Sequence, residues 1–185
     1  MKMYFVKHGK IPSADKMTLV LEDEGLSDEG IQEATEAAHF LKQRLKNDQS
    51  IHIVTSPRRR AVETARILAR SLSGDSETIE IDKRLAERDC GSYSGQSIAE
   101  VFALPEEDLV AGGMESLASL YERSQYFYND QLEKSVDVII AVGHSGNVAP
   151  LYFTSKGKNL GDTLTIPVLS RSEALLLVDT RTTSE

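Results

Sequence analysis

Two short apolar runs, one near each end of the sequence, precede a histidine by a single residue. The runs are Met3–Val6 and Val138–Val142, and the histidines that follow them are His8 and His144. Both runs are rich in β-branched or aromatic residues, which is typical of strands buried on both faces of a parallel sheet. Because ligands of open α/β sheets bind at the carboxyl ends of the strands, the sequence predicts that the two histidines converge on one site.

Helical and extended patterns alternate along the rest of the chain. Apolar residues recur at helical spacing over about 28–46, from Pro57 to Gly74 behind a capping Ser56, after Gly113 to about residue 132, and over 145–155. Further strands are predicted over 51–54, 78–81, 164–168 and 174–178. Residues 10–25 and 82–113 are predicted to be irregular, with one helical turn near 98–102. This alternation predicts an α/β layered fold, and 185 residues fit a single domain spanning 1–185.

Composition excludes several classes of partner. The net charge of -8 and a pI of about 5.1 argue against binding to nucleic acid or to anionic membranes. No apolar run approaches the roughly 20 residues that span a bilayer, and no secretory leader is recognisable. With a single cysteine, Cys90, the chain has no internal disulfide, so we expect a cytoplasmic protein. An anionic substrate would need a local basic pocket, for which Arg58, Arg59 and Arg60 are the candidates.

Four segments fall at or just beyond the carboxyl ends of predicted strands, over residues 7–9, 55–65, 85–95 and 142–146. They read KHG, TSPRRRAVETA, LAERDCGSYSG and VGHSG. In order and spacing they resemble the motifs of the histidine phosphatase superfamily, which includes cofactor-dependent phosphoglycerate mutase and many phosphatases. Residues 112–116, GGMES, are similar to a further family segment, GGES, with one residue inserted. The resemblance covers nearly the whole chain and implies three layers, αβα, around a mostly parallel sheet.

The resemblance also implies roles for individual residues. His8 matches the nucleophile that becomes a phosphohistidine, and Glu87 matches the general acid and base. Arg60 matches the arginine that holds the phosphoryl oxygens, and His144 the histidine that stabilises the transferring group. The remaining candidates for binding the substrate are Lys7, Arg88 and Ser145. The chemistry implied needs neither a metal nor a cofactor.

Elementary chemistry agrees with these roles. A neutral imidazole is a good nucleophile when its other nitrogen is held as a hydrogen-bond donor. Phosphoryl transfer needs mainly positioning and positive charge around the phosphoryl oxygens, which arginine and histidine supply. A leaving alkoxide needs a proton, and burial raises the pKa of a carboxyl group into the range where it can donate one. Three arginines in the first turn of a helix place positive charge at the positive end of the helix dipole. A nearby anion would offset this unfavourable arrangement, so the pattern also favours an anion-binding site.

Three positions depart from the family pattern. Lys7 stands where the family has arginine, which keeps the charge but loses the planar fork that binds two phosphate oxygens. Ile11 and Ala14 stand where many members carry a hydroxyl and an amide side chain. These departures leave open a weakly active or inactive member that binds a phosphorylated ligand or a protein partner.

The sequence offers two alternatives to the hydrolysis of phosphate esters. A serine-hydrolase elbow at Ser145 is rejected, because glycine is required where Asn147 stands and no histidine follows it in the sequence. A mutase is disfavoured because the segment 96–110 and the C-terminal tail are short. We therefore predict a phosphatase acting on a small phosphorylated substrate or a phosphoprotein. The sequence does not indicate the substrate or the oligomeric state.

Overall fold

The computed structural model describes residues 1–20, 23–72 and 79–180. Among these residues the chain forms five strands, which are β1 (Lys2–Lys7), β2 (Ile51–Thr55), β3 (Ile79–Ile81), β4 (Val138–Gly143) and β5 (Leu175–Asp179). The same residues form six α-helices: α1 (Asp28–Lys42), α2 (Arg59–Leu72), α3 (Ile98–Val101), α4 (Glu106–Ala111), α5 (Leu117–Leu132) and α6 (Ser145–Ser155). Short 3-10 turns lie at 14–16, 83–85 and 91–93.

The strands form one sheet in the order β3-β2-β4-β1-β5. All neighbouring strands are parallel except β5, which runs antiparallel to β1. Because β4 lies between β1 and β2, the carboxyl ends of these three strands meet at one edge. Two hydrogen bonds extend the ladders there, from the His8 amide to the Gly143 carbonyl at 3.0 Å and from the Ser56 amide to the Val142 carbonyl at 2.9 Å.

Helices cover both faces of the sheet. Tyr4 and Val6 of β1 pack with α1 and α2 in one buried cluster, whereas Met3 and Phe5 pack with α5 and α6 in another. Side chains of a strand alternate between faces, so both faces must be buried if every residue is apolar. This confirms the α/β fold of three layers with a mostly parallel sheet.

Several predicted boundaries were wrong. Helix α1 ends at Lys42 rather than near residue 46, and α2 begins at Arg59 rather than at Pro57. The predicted strand over 164–168 does not form, and the side chain of Val168 is 98% exposed. Helix α4 lies in a region predicted to be irregular, where Leu109 is its buried residue. The predicted helix end at Gly74 and the predicted strand start at Thr78 lie outside the described residues. The same holds for residues 21 and 22 of the segment predicted to be irregular and for residues 181–185 of the C-terminal tail. None of the helices in the described part of the chain is long and apolar enough to cross a membrane.

Candidate active site

Four polar side chains from separate segments come together where β1, β2 and β4 end. The ring centroids of His8 and His144 lie 5.0 Å apart, with the ring planes inclined at 61°. Arg60 Nε lies 3.2 Å from His8 Nε2, and Glu87 Oε2 lies 4.0 Å from His144 Nδ1. Both imidazoles and the guanidinium are buried. The structure therefore brings together the four residues that the sequence motifs single out.

The imidazole of His8 is held in one tautomer. Its Nδ1 lies 2.7 Å from the carbonyl oxygen of Gly9, and since a carbonyl only accepts, Nδ1 carries the proton. The lone pair is therefore on Nε2, which accepts from Arg60 Nε. Burial, aided by the positive charges of Arg60, Arg171 and Lys7, lowers the pKa of His8 to about 3. At neutral pH this imidazole is uncharged, and the Nε2 electron pair that accepts from Arg60 is its nucleophilic pair.

The backbone after β1 is fixed by close packing on two helices. A Cβ at Gly9 would lie 2.2 Å from the carbonyl oxygen of Gly30, so only glycine permits this approach to α1. On the other side, the Gly9 amide donates to Thr64 Oγ1 at 3.2 Å, and that hydroxyl donates to the Arg60 carbonyl at 2.9 Å. The loop that carries His8 is thereby attached to the helix that carries Arg60.

His144 stands between β4 and α6 and is fully buried. Its Nε2 is 2.7 Å from Ser56 Oγ, and its amide donates to Asn147 Oδ1 at 2.9 Å. Its Nδ1 is buried and has no hydrogen-bond partner among the described residues. Burial, together with the neighbouring His8 and Arg60, lowers the pKa of His144 well below its ordinary value. A neutral imidazole with one unpartnered nitrogen is therefore available at the centre of the site.

The carboxyl group of Glu87 reaches the site from the loop after the turn at 83–85. Its Oε1 accepts from the amides of Arg88 at 3.0 Å and of Gly146 at 3.1 Å. Burial raises the pKa of Glu87, although the two amides and the charges of Arg60 and Arg123 act in the opposite direction. A Cβ at residue 146 would lie 2.4 Å from Oε1, so glycine is needed for this contact.

Only one of the three consecutive arginines contacts His8. Arg60 is buried, whereas the exposed side chain of Arg59 forms an ion pair with Glu63 at 2.7 Å. The Arg59 amide donates to Asp23 Oδ1 at 2.7 Å, so acids of this chain supply part of the negative charge expected near this helix start. Arg58 lines a second, smaller depression on the other side of Glu87.

Lys7 ends β1 and is half-buried next to a second cation. Burial and the positive charge of Arg171 lower the pKa of Lys7, while the charges of Glu33 and Glu87 raise it. Arg171 Nη1 lies 4.0 Å from Glu33 Oε1, and its Nε is buried without a hydrogen-bond partner in the described ranges. Lys7 and Arg171 therefore both place positive charge near His8.

A cavity of about 620 Å³ opens beside His8, and neither Lys7 nor His144 is among the described residues that line it. His8, Arg60 and Glu87 line one end of it, together with Ser145 and Arg88, both predicted to bind the substrate. The guanidinium of Arg88 is already occupied, because its Nη2 donates to both carboxylate oxygens of Glu106 at 2.8 Å. Its Nε also donates to the Glu115 carbonyl at 2.7 Å. Direct contact of Arg88 or Ser145 with a substrate stays a prediction.

The family model of the histidine phosphatase superfamily (branch 1) matches residues 3–177. The chain belongs to this superfamily. A sequence comparison with curated proteins finds no match.

Several solved structures share the fold of this chain. YhfR of Bacillus stearothermophilus is 20% identical with a TM-score of 0.71, over 94% of this chain and 88% of that one. A mycobacterial glucosyl-3-phosphoglycerate phosphatase is 24% identical with a TM-score of 0.68, over 83% and 81%. Phosphoserine phosphatase from Entamoeba histolytica is 22% identical with a TM-score of 0.65, over 85% and 80%. At these identities the likeness concerns the fold.

Four residues of the candidate site were not predicted from the sequence. The sequence predicts Ser56 only as a helix cap, but in the structure its hydroxyl also contacts His144. Asn147 also donates from Nδ2 to the Ala86 carbonyl at 3.2 Å, which ties α6 to the segment that carries Glu87. Thr64 and Arg171 complete the set. Ser56 and Thr64 lie inside the segment TSPRRRAVETA, which was the available signal, whereas nothing in the sequence marks Arg171.

A metal site needs a cluster of side chains that can act as ligands. Within 1–20, 23–72 and 79–180, no three side chains of His, Cys, Asp or Glu are grouped so that they could hold a metal ion. The single cysteine, Cys90, is a partly buried thiol in the wall of the cavity.

Proposed function

We propose that the protein is a metal-independent phosphatase that hydrolyses phosphate monoesters through a phosphohistidine at His8. The observation that carries the proposal is the state of His8 Nε2. It is an uncharged, fixed nucleophilic nitrogen with the Arg60 guanidinium 3.2 Å away and a second buried imidazole beside it. That arrangement suits an attack on a phosphorus atom whose oxygens carry negative charge.

In the first step the lone pair of His8 Nε2 forms a bond to phosphorus, and the bond between phosphorus and the ester oxygen breaks. The electron pair of that bond goes to the ester oxygen, which takes a proton from Glu87 and leaves as the alcohol. Arg60, His144 Nδ1 and Lys7 bind the phosphoryl oxygens as the charge on them redistributes. The raised pKa of Glu87 supports its role as the proton donor.

In the second step a water molecule attacks the phosphohistidine. The Glu87 carboxylate formed in the first step takes the proton of this water as its oxygen bonds to phosphorus. The nitrogen–phosphorus bond breaks, its electron pair returns to Nε2, and inorganic phosphate leaves. His8 and Glu87 are then back in their starting states, so one enzyme molecule completes a full cycle without a cofactor.

Hydrolysis is favoured over transfer between two positions of one substrate. Two of the solved structures that share the fold are named as phosphatases, one for glucosyl-3-phosphoglycerate and one for phosphoserine. The connection over 96–110 is also short, which leaves the site accessible to water. The single cysteine further supports a cytoplasmic protein. Isomerisation of a phosphoglycerate without release of phosphate would overturn this choice.

Trapping the intermediate tests the proposal. The protein is mixed with an aryl phosphate, quenched without acid and analysed by peptide mass spectrometry. We expect one added phosphoryl group on His8, stable in base and lost in acid, together with release of inorganic phosphate. Both signals should vanish in His8→Ala and persist in His52→Ala, a matched control in β2 whose imidazole contacts Glu80 at 3.1 Å.

Two results would contradict the proposal. Release of phosphate that persists in His8→Ala would show that another group is the nucleophile. Binding of phosphate esters without an adduct or release would identify the protein as a binding member of the family. The lysine at position 7 gives that second result its physical basis, because a weaker hold on the phosphoryl group slows the transfer.

A further inference from the structure

The cavity of about 620 Å³ extends well beyond the volume that a phosphoryl group needs. Away from His8 its lining is mostly aliphatic and aromatic. We call this part the apolar end, and define it by Leu19, Ile98, Phe102, Leu117, Phe153 and Leu160. Cavities of this volume with apolar walls enclose most of the surface of a small organic ligand.

The apolar end is held in place by backbone hydrogen bonds between two connecting segments. Three backbone hydrogen bonds join residues 17–19 to residues 95–98. Their donors are the amides of Leu19, Gly95 and Ile98, which lie 2.9, 2.7 and 3.0 Å from carbonyl oxygens of the other segment. An isolated bridge joins Thr18 and Ser97 within the same contact. Leu19 also packs against the buried cluster of Val101, Leu109 and Met114. These walls therefore form a fixed surface for a ligand.

Charges in the cavity disfavour a second anionic group on the substrate. Among the described residues that line it, the cations are Arg60, which contacts the nucleophile, and Arg88. Arg88 is neutralised by both carboxylate oxygens of Glu106. Asp162 adds a negative charge to the lining of the cavity. A carboxylate on the alcohol part of a substrate would therefore find no free cation in the described lining and would be repelled.

The rim of the apolar end exposes large apolar side chains to solvent. Phe102 is 51% exposed and Leu160 is 53% exposed, and Leu117 contributes a third such side chain. Apolar surface that is concentrated around a cavity marks a binding site for an apolar ligand. Ile11 follows the nucleophile by three residues, also lines the cavity, and stands where many family members have a hydroxyl.

We propose that the substrates are phosphate monoesters of apolar alcohols that carry no second charge, and that the apolar end binds the alkyl or aryl group. This rests on the proposed function, in which His8 attacks the phosphorus. The phosphate lies at the charged end of the cavity, and the carbon chain of the alcohol extends past Ile11 between the segments 17–20 and 95–102 and the helices α5 and α6.

A series of alkyl phosphates tests the inference, since ethyl, butyl, hexyl and octyl phosphate have leaving alcohols of nearly equal pKa. We expect kcat/KM to rise by up to about fourfold for each added methylene that enters the apolar end. Phosphoserine and 3-phosphoglycerate, which add charges to small alcohols, should react no faster than ethyl phosphate. Equal kcat/KM values along the series, or a preference for 3-phosphoglycerate, would overturn the inference while leaving the proposed function intact.

Two matched variants locate the effect. Phe102→Ser removes an apolar side chain from the rim, and we expect the ratio of kcat/KM for octyl over ethyl phosphate to fall about tenfold. Tyr126→Ser is the matched control. It removes an aromatic side chain of α5 that is 60% exposed and lies outside the cavity, and it should leave that ratio unchanged. An equal change in both variants would contradict binding at the apolar end.

Binding of alkylphosphonates separates the inference from the proposed function. These compounds have no ester bond, so their affinity does not depend on catalysis. By titration calorimetry we expect octylphosphonate to bind at least tenfold more tightly than ethylphosphonate, with a negative heat-capacity change. If no ester is hydrolysed but this preference holds, only the proposed function fails. If the two phosphonates bind equally, the inference fails.

Discussion

The two ends of the cavity are built in different ways. At the charged end, His8 and His144 lie directly after β1 and β4, Arg60 lies in the first turn of α2, and hydrogen bonds orient both imidazoles. At the apolar end, the walls come from the connecting segments 18–20 and 160–166, from helix α3 with the residue that follows it, and from side chains of α5 and α6. Sheet topology therefore sets the chemistry of this fold, and the connections set what the site accepts.

The largest effect should come from the proton donor at the charged end. Glu87→Gln keeps an oxygen that accepts from the amides of Arg88 and Gly146 but removes the proton. We expect kcat/KM for ethyl phosphate to fall by about 10²- to 10⁴-fold. For p-nitrophenyl phosphate, whose leaving phenolate needs no proton, the loss should stay below about tenfold.

The pH profile provides the control for this variant. Burial raises the pKa of Glu87, so the acid form persists above the ordinary range and kcat/KM should fall as rising pH removes the proton. The same decline should be absent in Glu87→Gln. Equal losses for both esters, with the decline retained, would mean that the carboxyl group only supports the structure.

The charged end was predictable from the sequence and the apolar end was not. His8 and His144 follow apolar runs whose β-branched residues predict strands, and the ends of such strands meet in space. Leu19 comes from a segment predicted to be irregular and Phe102 from the end of one predicted helical turn, so no pattern marked them as neighbours. The alternation over 164–168 predicted a strand, yet Ile166 lines the cavity and no partner strand pairs with this segment among the described residues. Local preference for extended structure forms a strand only where packing and a neighbouring strand support it, and here the side chain of Val168 is 98% exposed.

A gain of activity should come from restoring arginine at the end of β1. Lys7→Arg adds the planar fork that binds two phosphoryl oxygens, and we expect kcat/KM to rise about tenfold for all esters alike. Lys10→Arg is the matched control, because Lys10 lies three residues on and pairs with Asp15 and Glu29 at the surface. An unchanged or lower rate in Lys7→Arg would show that the hold on the phosphoryl group does not limit the reaction.

Stability should depend on pH through the buried imidazole. The pKa of His8 is about 3 in the folded chain, against an ordinary value of 6.5 in the unfolded chain. Between these values the unfolded chain binds a proton that the folded chain does not. The free energy of unfolding should therefore fall as pH falls below 6.5, by about 1.4 kcal/mol per pH unit from this group.

Urea unfolding of wild type and His8→Gln at pH 7, 6 and 5 measures this contribution. We expect the variant to lose less stability on acidification, so that the two curves converge by about 1.4 kcal/mol per unit. The titration of Glu87 has the opposite sign and is common to both proteins. Parallel curves for His8→Gln would mean that His8 is protonated in the folded state.

The smallest effect should appear where the two ends meet, at Ile11. Ile11→Val removes one methylene. Ile11→Thr leaves a side chain of nearly the same volume as valine, with a hydroxyl in place of one methyl group. The ratio of kcat/KM for octyl over ethyl phosphate should fall by up to about fourfold in Ile11→Val and further in Ile11→Thr, because an unpaired hydroxyl makes the apolar end a poorer environment for an alkyl chain. If Ile11→Thr instead raises activity on every ester equally, the position serves the phosphoryl group alone. The boundary between the two ends would then lie farther from the nucleophile than Ile11.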